Sequence, residues 1–113
     1  MSLTFYFNPM SQPSRAVLTI LHHLDIKHEK KVIDLFKGEQ KTPEYLKINP
    51  FGLVPCIDDS GFILWESEAI MKYLINSTKA GDMYYPTDPQ TRARIDKYFP
   101  WHHTVFRPAM APL

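Results

Sequence analysis

Apolar positions along this chain fall into short blocks whose spacing changes from one block to the next. Leu3-Thr4-Phe5-Tyr6-Phe7 is apolar and aromatic with no helical period, which predicts a buried strand that Asn8-Pro9 ends. Ala16, Val17, Ile20, Leu21 and Leu24 then recur at one, three and four apart, so they share one helical face. Ser11-Gln12-Pro13 has the form of that helix's start, with proline in the first turn where its missing N–H costs nothing. Asp25–Lys27 reads as a turn, His28–Leu35 as a second strand, and Phe36–Lys41 as a loop. Thr42-Pro43-Glu44-Tyr45-Leu46 predicts a short helix stopped by Asn49-Pro50. Leu53–Ile57 is apolar but holds Pro55, which belongs at a sheet edge or at a special bond. Asp58–Gly61 predicts a hairpin turn, Phe62–Trp65 the returning strand, and Glu66-Ser67 the start of a helix whose apolar face is Ile70, Met71, Tyr73 and Leu74.

The order β-α-β-α-β-β-α implies an α/β domain. Its first βαβ unit is a right-handed parallel crossover and its hairpin is an antiparallel pair, so a small mixed sheet with helices on both faces is expected. Ser77–Asp88 reads as a linker whose aromatics, Tyr84 and Tyr85, are expected to lie against the domain. A further helix starts near Pro89, with Ala93, Ile95, Tyr98 and Phe99 among charged residues. Pro100 should interrupt it, and Pro108 and Pro112 argue against its continuing past Phe106. Residues 1–82 are thus expected to form one domain, and residues 83–113 a linker with the start of another.

Composition narrows the function classes. At 113 residues the chain holds one small domain plus a fragment of another, and 44% hydrophobic residues suffice for a core. A net charge of +1 gives no electrostatic footprint for nucleic acid or an anionic membrane. The apolar runs are far shorter than the roughly 20 residues of a membrane span, and the first ten residues lack the pattern of a secretory signal. The single cysteine, Cys56, forms no internal disulfide and reads as a buried core thiol, so the reducing cytoplasm is the expected compartment. His22-His23 and His102-His103 are adjacent pairs. Neighbours on a helix diverge by about 100°, so neither pair reads as a metal site.

Three motifs in order, Ser11-Gln12-Pro13-Ser14-Arg15-Ala16, Asn49-Pro50-Phe51-Gly52-Leu53-Val54-Pro55 and Glu66-Ser67-Glu68-Ala69-Ile70, resemble the N-terminal domain of cytosolic glutathione transferases. Tyr85-Pro86 through Tyr98, with Trp101-His102-His103-Thr104, resembles the start of that family's helical domain, and the likeness is closest to the theta class. The resemblance implies a thioredoxin-like βαβαββα domain followed by the first helix of an all-α domain. That domain is much longer in the family than Asp88–Leu113, so the chain is expected to be truncated there. It implies a transferase that joins the glutathione thiolate to small electrophiles, with glutathione as co-substrate, no other cofactor, and a homodimeric state. The alternative is a non-catalytic glutathione- or partner-binding domain. A third reading, an interaction fragment with no ligand, would leave apolar residues of the last helix exposed.

The resemblance also implies roles for residues. A free thiol has a pKa of about 8.5, so its ionisation near neutrality needs donors and positive potential at the sulfur. Ser11 would donate its hydroxyl to the thiolate, with help from the helix N–H groups and dipole. Its plainer reading is a helix N-cap. Tyr6 is the rival donor, since other classes use a tyrosine at the end of the first strand. Val54-Pro55 resembles the family's cis-proline turn, in which the Val54 backbone would pair with the cysteine of glutathione like an added strand. Glu66 and Ser67 would hold the γ-glutamyl ammonium and carboxylate; their plainer reading is capping by Ser67 and dipole compensation by Glu66. Gln40 and Lys41 align with the contact to the glycine carboxylate, although relatives often carry His where Gln40 stands and a basic residue where Leu53 stands. These departures imply weaker glutathione affinity. Arg107 matches an arginine that reaches the sulfur region. Arg92, Arg94 and Lys97 read as a solvated face, and Tyr98, Phe99 and Trp101 as core or domain interface.

Overall fold

The computed structural model describes residues 2–110 and divides into two compact units, Met1–Ile75 and Asn76–Leu113. The first unit contains β1 (Leu3–Phe7), α1 (Gln12–His23), β2 (Glu29–Val32), a 3-10 turn (Glu39–Lys41), α2 (Pro43–Ile48), β3 (Cys56–Asp59), β4 (Phe62–Trp65) and all but the last residue of α3 (Ser67–Asn76). This is the expected thioredoxin-like order. The sheet runs β2-β1-β3-β4, with β1 and β2 parallel and the other pairs antiparallel.

Alternation along β1 sorts the core onto two faces. Leu3, Phe5 and Phe7 meet Val17 and Leu21 of α1 and Ile70 and Leu74 of α3 on one side. Tyr6 points to the other side, where it joins Tyr45 of α2 and Cys56. Local chemistry sets the helix ends. The Ser11 hydroxyl accepts from Ser14 N (3.2 Å) at the start of α1, and Thr42 does the same for Tyr45 N (3.3 Å) at the start of α2.

Several boundaries differ from the expected ones. The second strand is only Glu29–Val32, fully exposed at the sheet edge, where its charges discourage pairing with another chain. The third begins at Cys56, after Pro55, and runs between β1 and β4, so the proline marks a special bond and not an edge. The Val54–Pro55 peptide is cis. The hairpin turn narrows to Ser60 and Gly61, both at positive φ, because a two-residue turn of that hand matches the strand twist.

The second unit contains α4 (Gly81–Tyr84), α5 (Pro89–Asp96), α6 (Tyr98–Trp101), a π-helical turn (His102–Phe106) and α7 (Arg107–Met110). The expected linker therefore holds a short helix. Within this unit Tyr85 is buried; its hydroxyl donates to Asp96 Oδ1 (2.6 Å) and its ring lies 3.9 Å from the Arg92 guanidinium carbon. Arg92 also donates to the carbonyls of Pro86 and Tyr85 (2.8 Å each), so it clamps the segment and is not a solvated side chain. The helical path breaks between Asp96 and Tyr98, as Pro100 requires, yet continues past Phe106 to Met110. The π-turn just before Pro108 widens the helix where the proline ring would otherwise strike the carbonyl four residues back. Pro112 lies outside the described residues.

Candidate functional site

Strand register gathers most of the expected site residues. Tyr6 pairs with Cys56, and Cys56 pairs with Trp65, so one row crosses β1, β3 and β4. With strands about 4.8 Å apart, that row spans roughly 10 Å. Every strand breaks within two residues of it. β1 gives way to Asn8–Ser11, Val54–Pro55 precedes β3, and Glu66–Ser67 follows β4. Ser11, Val54, Pro55, Glu66 and Ser67 thus stand at one end of the sheet.

Each break is braced. Buried Asn8 holds the first: its Nδ2 donates to Ile33 O (2.9 Å), its Oδ1 accepts from Met10 N (2.8 Å), and its carbonyl accepts from Ser11 N (3.0 Å). Ser11 accepts from Ser14 N with a lone pair, which leaves the hydroxyl proton to donate outward. Capping and donation to an anion are therefore compatible in one residue.

The second break is set by Asn49, which is completely buried. Its Nδ2 donates to Leu53 O (2.9 Å), its Oδ1 accepts from Phe51 N (3.0 Å), and the Tyr45 hydroxyl also donates to Leu53 O (2.6 Å). The carbonyl just before Val54 is thereby held twice. Gly52 sits at φ 64° with Gln40 O only 2.8 Å and Lys41 Nζ 2.9 Å from where a Cβ would be. Lys41 Nζ donates to Phe51 O (3.3 Å), so the 3-10 turn carrying Gln40 and Lys41 lies directly against this loop. The Gln40 Oε1 is buried with no hydrogen-bond partner among the described residues. Leu53 is exposed, and Phe51 packs edge-on against Trp65 at 5.7 Å.

At the third break the helix cap differs from expectation. The Glu66 carbonyl accepts from Ile70 N (2.9 Å), so Glu66 is the cap and Ser67 is the first helical residue. Glu66 adopts φ 78°, a left-handed conformation unusual for a residue with a Cβ. Glu66 is exposed, and the first N–H groups of α3 open at this end of the sheet.

Tyr6 is buried against Tyr45 (5.8 Å, edge-on) and lines a cleft of about 300 Å³ with Ile33, Glu39, Thr42, Glu44 and Ile48. Burial, then the nearby Asp58 carboxylate, pushes its hydroxyl above the usual tyrosine range. Arg107 lies in α7 of the second unit. Cys56 is fully buried, and burial pushes its thiol from 9.0 up to about 12, which opposes any nucleophilic role. Among the described residues no cluster of His, Cys, Asp or Glu is arranged to hold a metal, and no helix is long and apolar enough to cross a membrane. Asn8, Asn49 and Gly52 stand in the sequence motifs but carry no expected role at the site. Asn8-Pro9, Asn49-Pro50 and Phe51-Gly52 carried the signal, as turn dipeptides flanking apolar blocks.

Residues 1–76 match the family described as glutathione S-transferase, N-terminal domain. The chain is 44% identical over 107 residues to mouse glutathione S-transferase theta-3, across 95% of its own length and 44% of that protein. It is 41% identical over 107 residues to human glutathione S-transferase theta-1, covering 95% of this chain and 45% of that one. The structure of human glutathione transferase theta-2 in complex with glutathione superposes with a TM-score of 0.85 at 41% identity, over 90% of this chain and 42% of that one. The chain thus spans less than half the length of these relatives.

Proposed function

Because this chain belongs to the glutathione S-transferase family, we propose that the end of the sheet at Ser11, Val54 and Glu66 binds glutathione as a thiolate and presents it to small electrophiles. The observation that carries this reading is the row Tyr6–Cys56–Trp65, because it sets an N-capping hydroxyl, a strand-like backbone stop and a carboxylate beside free N–H groups in line. Glu66 and the first turn of α3 take the γ-glutamyl ammonium and carboxylate. Val54 offers backbone groups to the cysteine residue, and Gln40 and Lys41 take the glycine carboxylate. Ser11 then faces the sulfur.

A serine is too weak a base to remove the thiol proton, so Ser11 acts by stabilising the anion. A hydrogen bond to a charged group is worth about 1.5–3 kcal/mol, or about one to two pKa units. That shift makes the thiolate a major species near pH 7; its sulfur forms a C–S bond to the electrophilic carbon as a leaving group such as halide departs with the bonding pair, or as an activated double bond takes up the pair and then a proton from water. Arg107 is assigned to the sulfur region by resemblance alone. The same resemblance supports a homodimer in the cytoplasm, which sedimentation equilibrium and fractionation test.

Ultraviolet titration of bound glutathione tests the central claim. The thiolate band should persist to a pH one to two units lower than for free glutathione. Ser11→Ala should abolish the shift, while Tyr6→Phe should leave it. An unshifted band, or a larger loss in the tyrosine variant, rejects the assignment. Conjugation to a reactive halide measures turnover separately. Binding seen by calorimetry without turnover would restrict the role to glutathione binding.

A further inference from the structure

Arg15 stands in the first of the three motifs, four residues past Ser11. The loop that it faces is a four-residue turn. Ser11 N donates to Asn8 O (3.0 Å), which puts Pro9 and Met10 at the two central positions. The peptide between them is held from both sides. Its N–H, from Met10, donates to Asn8 Oδ1 (2.8 Å), and its carbonyl, from Pro9, accepts from Arg15 Nη1 (2.8 Å). Arg15 reaches back over the turn from α1, where its own N–H donates to the Ser11 carbonyl (3.0 Å). Among the described residues no carboxylate competes for its guanidinium.

The central peptide is the part of such a turn that can rotate. Type I and type II turns differ by turning it over, and proline at the second position suits both. Type II needs a positive φ at Met10, and Met10 is not among the residues that adopt one. A rotated peptide would lose both bonds at once and loosen the chain at Ser11, the next residue.

We propose that Arg15 is a positioning residue for Ser11: by gripping the Pro9 carbonyl it fixes the turn that aims the Ser11 hydroxyl. The role rests on the reading that Ser11 stabilises the glutathione thiolate. A hydroxyl serves an anion only within hydrogen-bond reach and near-linear geometry, so a loss of aim costs ionisation as well as affinity. Arg15 is exposed, so water shares its bond and the expected effects are moderate.

The test uses the full chain with Arg15→Met, which keeps an aliphatic stem and removes charge and donors, with Ser11→Ala, and with the double variant. Without ligand, amide hydrogen exchange at Met10 and Ser11 should accelerate about three- to tenfold in Arg15→Met, with the circular dichroism unchanged. With glutathione, the ultraviolet titration of the bound thiol should move up by about half a pKa unit in Arg15→Met. Added to Ser11→Ala, the same substitution should move it no further, because Arg15 acts through that hydroxyl. An equal rise in the Ser11→Ala background would mean that the guanidinium acts on the sulfur by its charge, and would overturn the proposal. Unchanged exchange at Met10 and Ser11 would reject the role of Arg15 alone, whereas a Ser11→Ala variant that titrates like the parent would reject the reading of Ser11 and this role with it.

Discussion

Replacing Asn49 by alanine isolates the physics that holds the middle of the site. The substitution keeps the backbone bonds Asn49 N to Tyr45 O and Gly52 N to Asn49 O, but removes both side-chain bonds, to Leu53 O and from Phe51 N. Each such bond contributes about 1 kcal/mol net, and the void left in a fully buried position adds to that, so the expected loss is about 2–3 kcal/mol. A domain of this size loses about 4–8 °C of melting temperature per kcal/mol, which makes the expected drop roughly 10–20 °C by scanning calorimetry. Leu53 O would still accept from Tyr45, so Tyr45→Phe alone should cost only about 1 kcal/mol. The double variant leaves that carbonyl without either donor and should cost at least about 1 kcal/mol more than the two single losses together. Because Val54 follows the doubly held carbonyl, glutathione affinity should fall in the same order. A melting drop under about 3 °C, or strict additivity in the cycle, would refute the account of Leu53 O as a shared anchor.

Three further outcomes follow from other parts of the structure. Gly52→Ala places a Cβ 2.8 Å from the Gln40 carbonyl at φ 64°, and should cost about 1–3 kcal/mol in urea denaturation while weakening glutathione binding more than a distant surface substitution does. Cys56 is held protonated by burial, so unfolding releases its proton between pH 9.0 and about 12; stability should fall as pH rises through that window, and Cys56→Ala should flatten the decline by one proton, about 1.4 kcal/mol per pH unit, in denaturation series from pH 8 to 11. Arg92→Ala should lower the stability of the second unit by about 1–3 kcal/mol and raise hydrogen exchange at Tyr85, whereas Arg94→Ala, exposed on the same helix, should change neither by a measurable amount.

The sequence carried element types better than element ends. Strand β1 and helix α1 were legible because Phe5, Phe7, Val17 and Leu21 form a periodic apolar set with a cap and a proline at its start. Strand β2 was overextended because Ile33 and Leu35 look strand-like, whereas Ile33 already lies past the strand, its N–H bonded to Phe7 O (2.8 Å). The cap at Glu66 was misplaced because a serine beside a glutamate ordinarily takes that role, and only the backbone shows Glu66 at positive φ. Arg92 looked solvated because its partners are carbonyls of Tyr85 and Pro86, a kind of contact that leaves no trace in side-chain patterning.

The site depends on where three strands stop, and this explains which of its residues sequence could reach. A strand ends legibly when its terminator is a residue type with fixed chemistry, as Pro9, Pro55 and the acidic residue after Trp65 are. That those three ends face the same way is a matter of register. Antiparallel pairing of β1 with β3 sets the exit of one beside the entry of the other, and the β3–β4 hairpin returns the third to the same row. A one-residue slip between β1 and β3 would set Tyr6 and Cys56 on opposite faces and shift Val54 relative to Ser11, and a slip between β3 and β4 would turn Trp65 over and shift Glu66, even with every motif intact. The Ser60-Gly61 turn and the Asn49 and Asn8 braces fix that register, so their substitution should damage binding at the site without removing any group that touches glutathione.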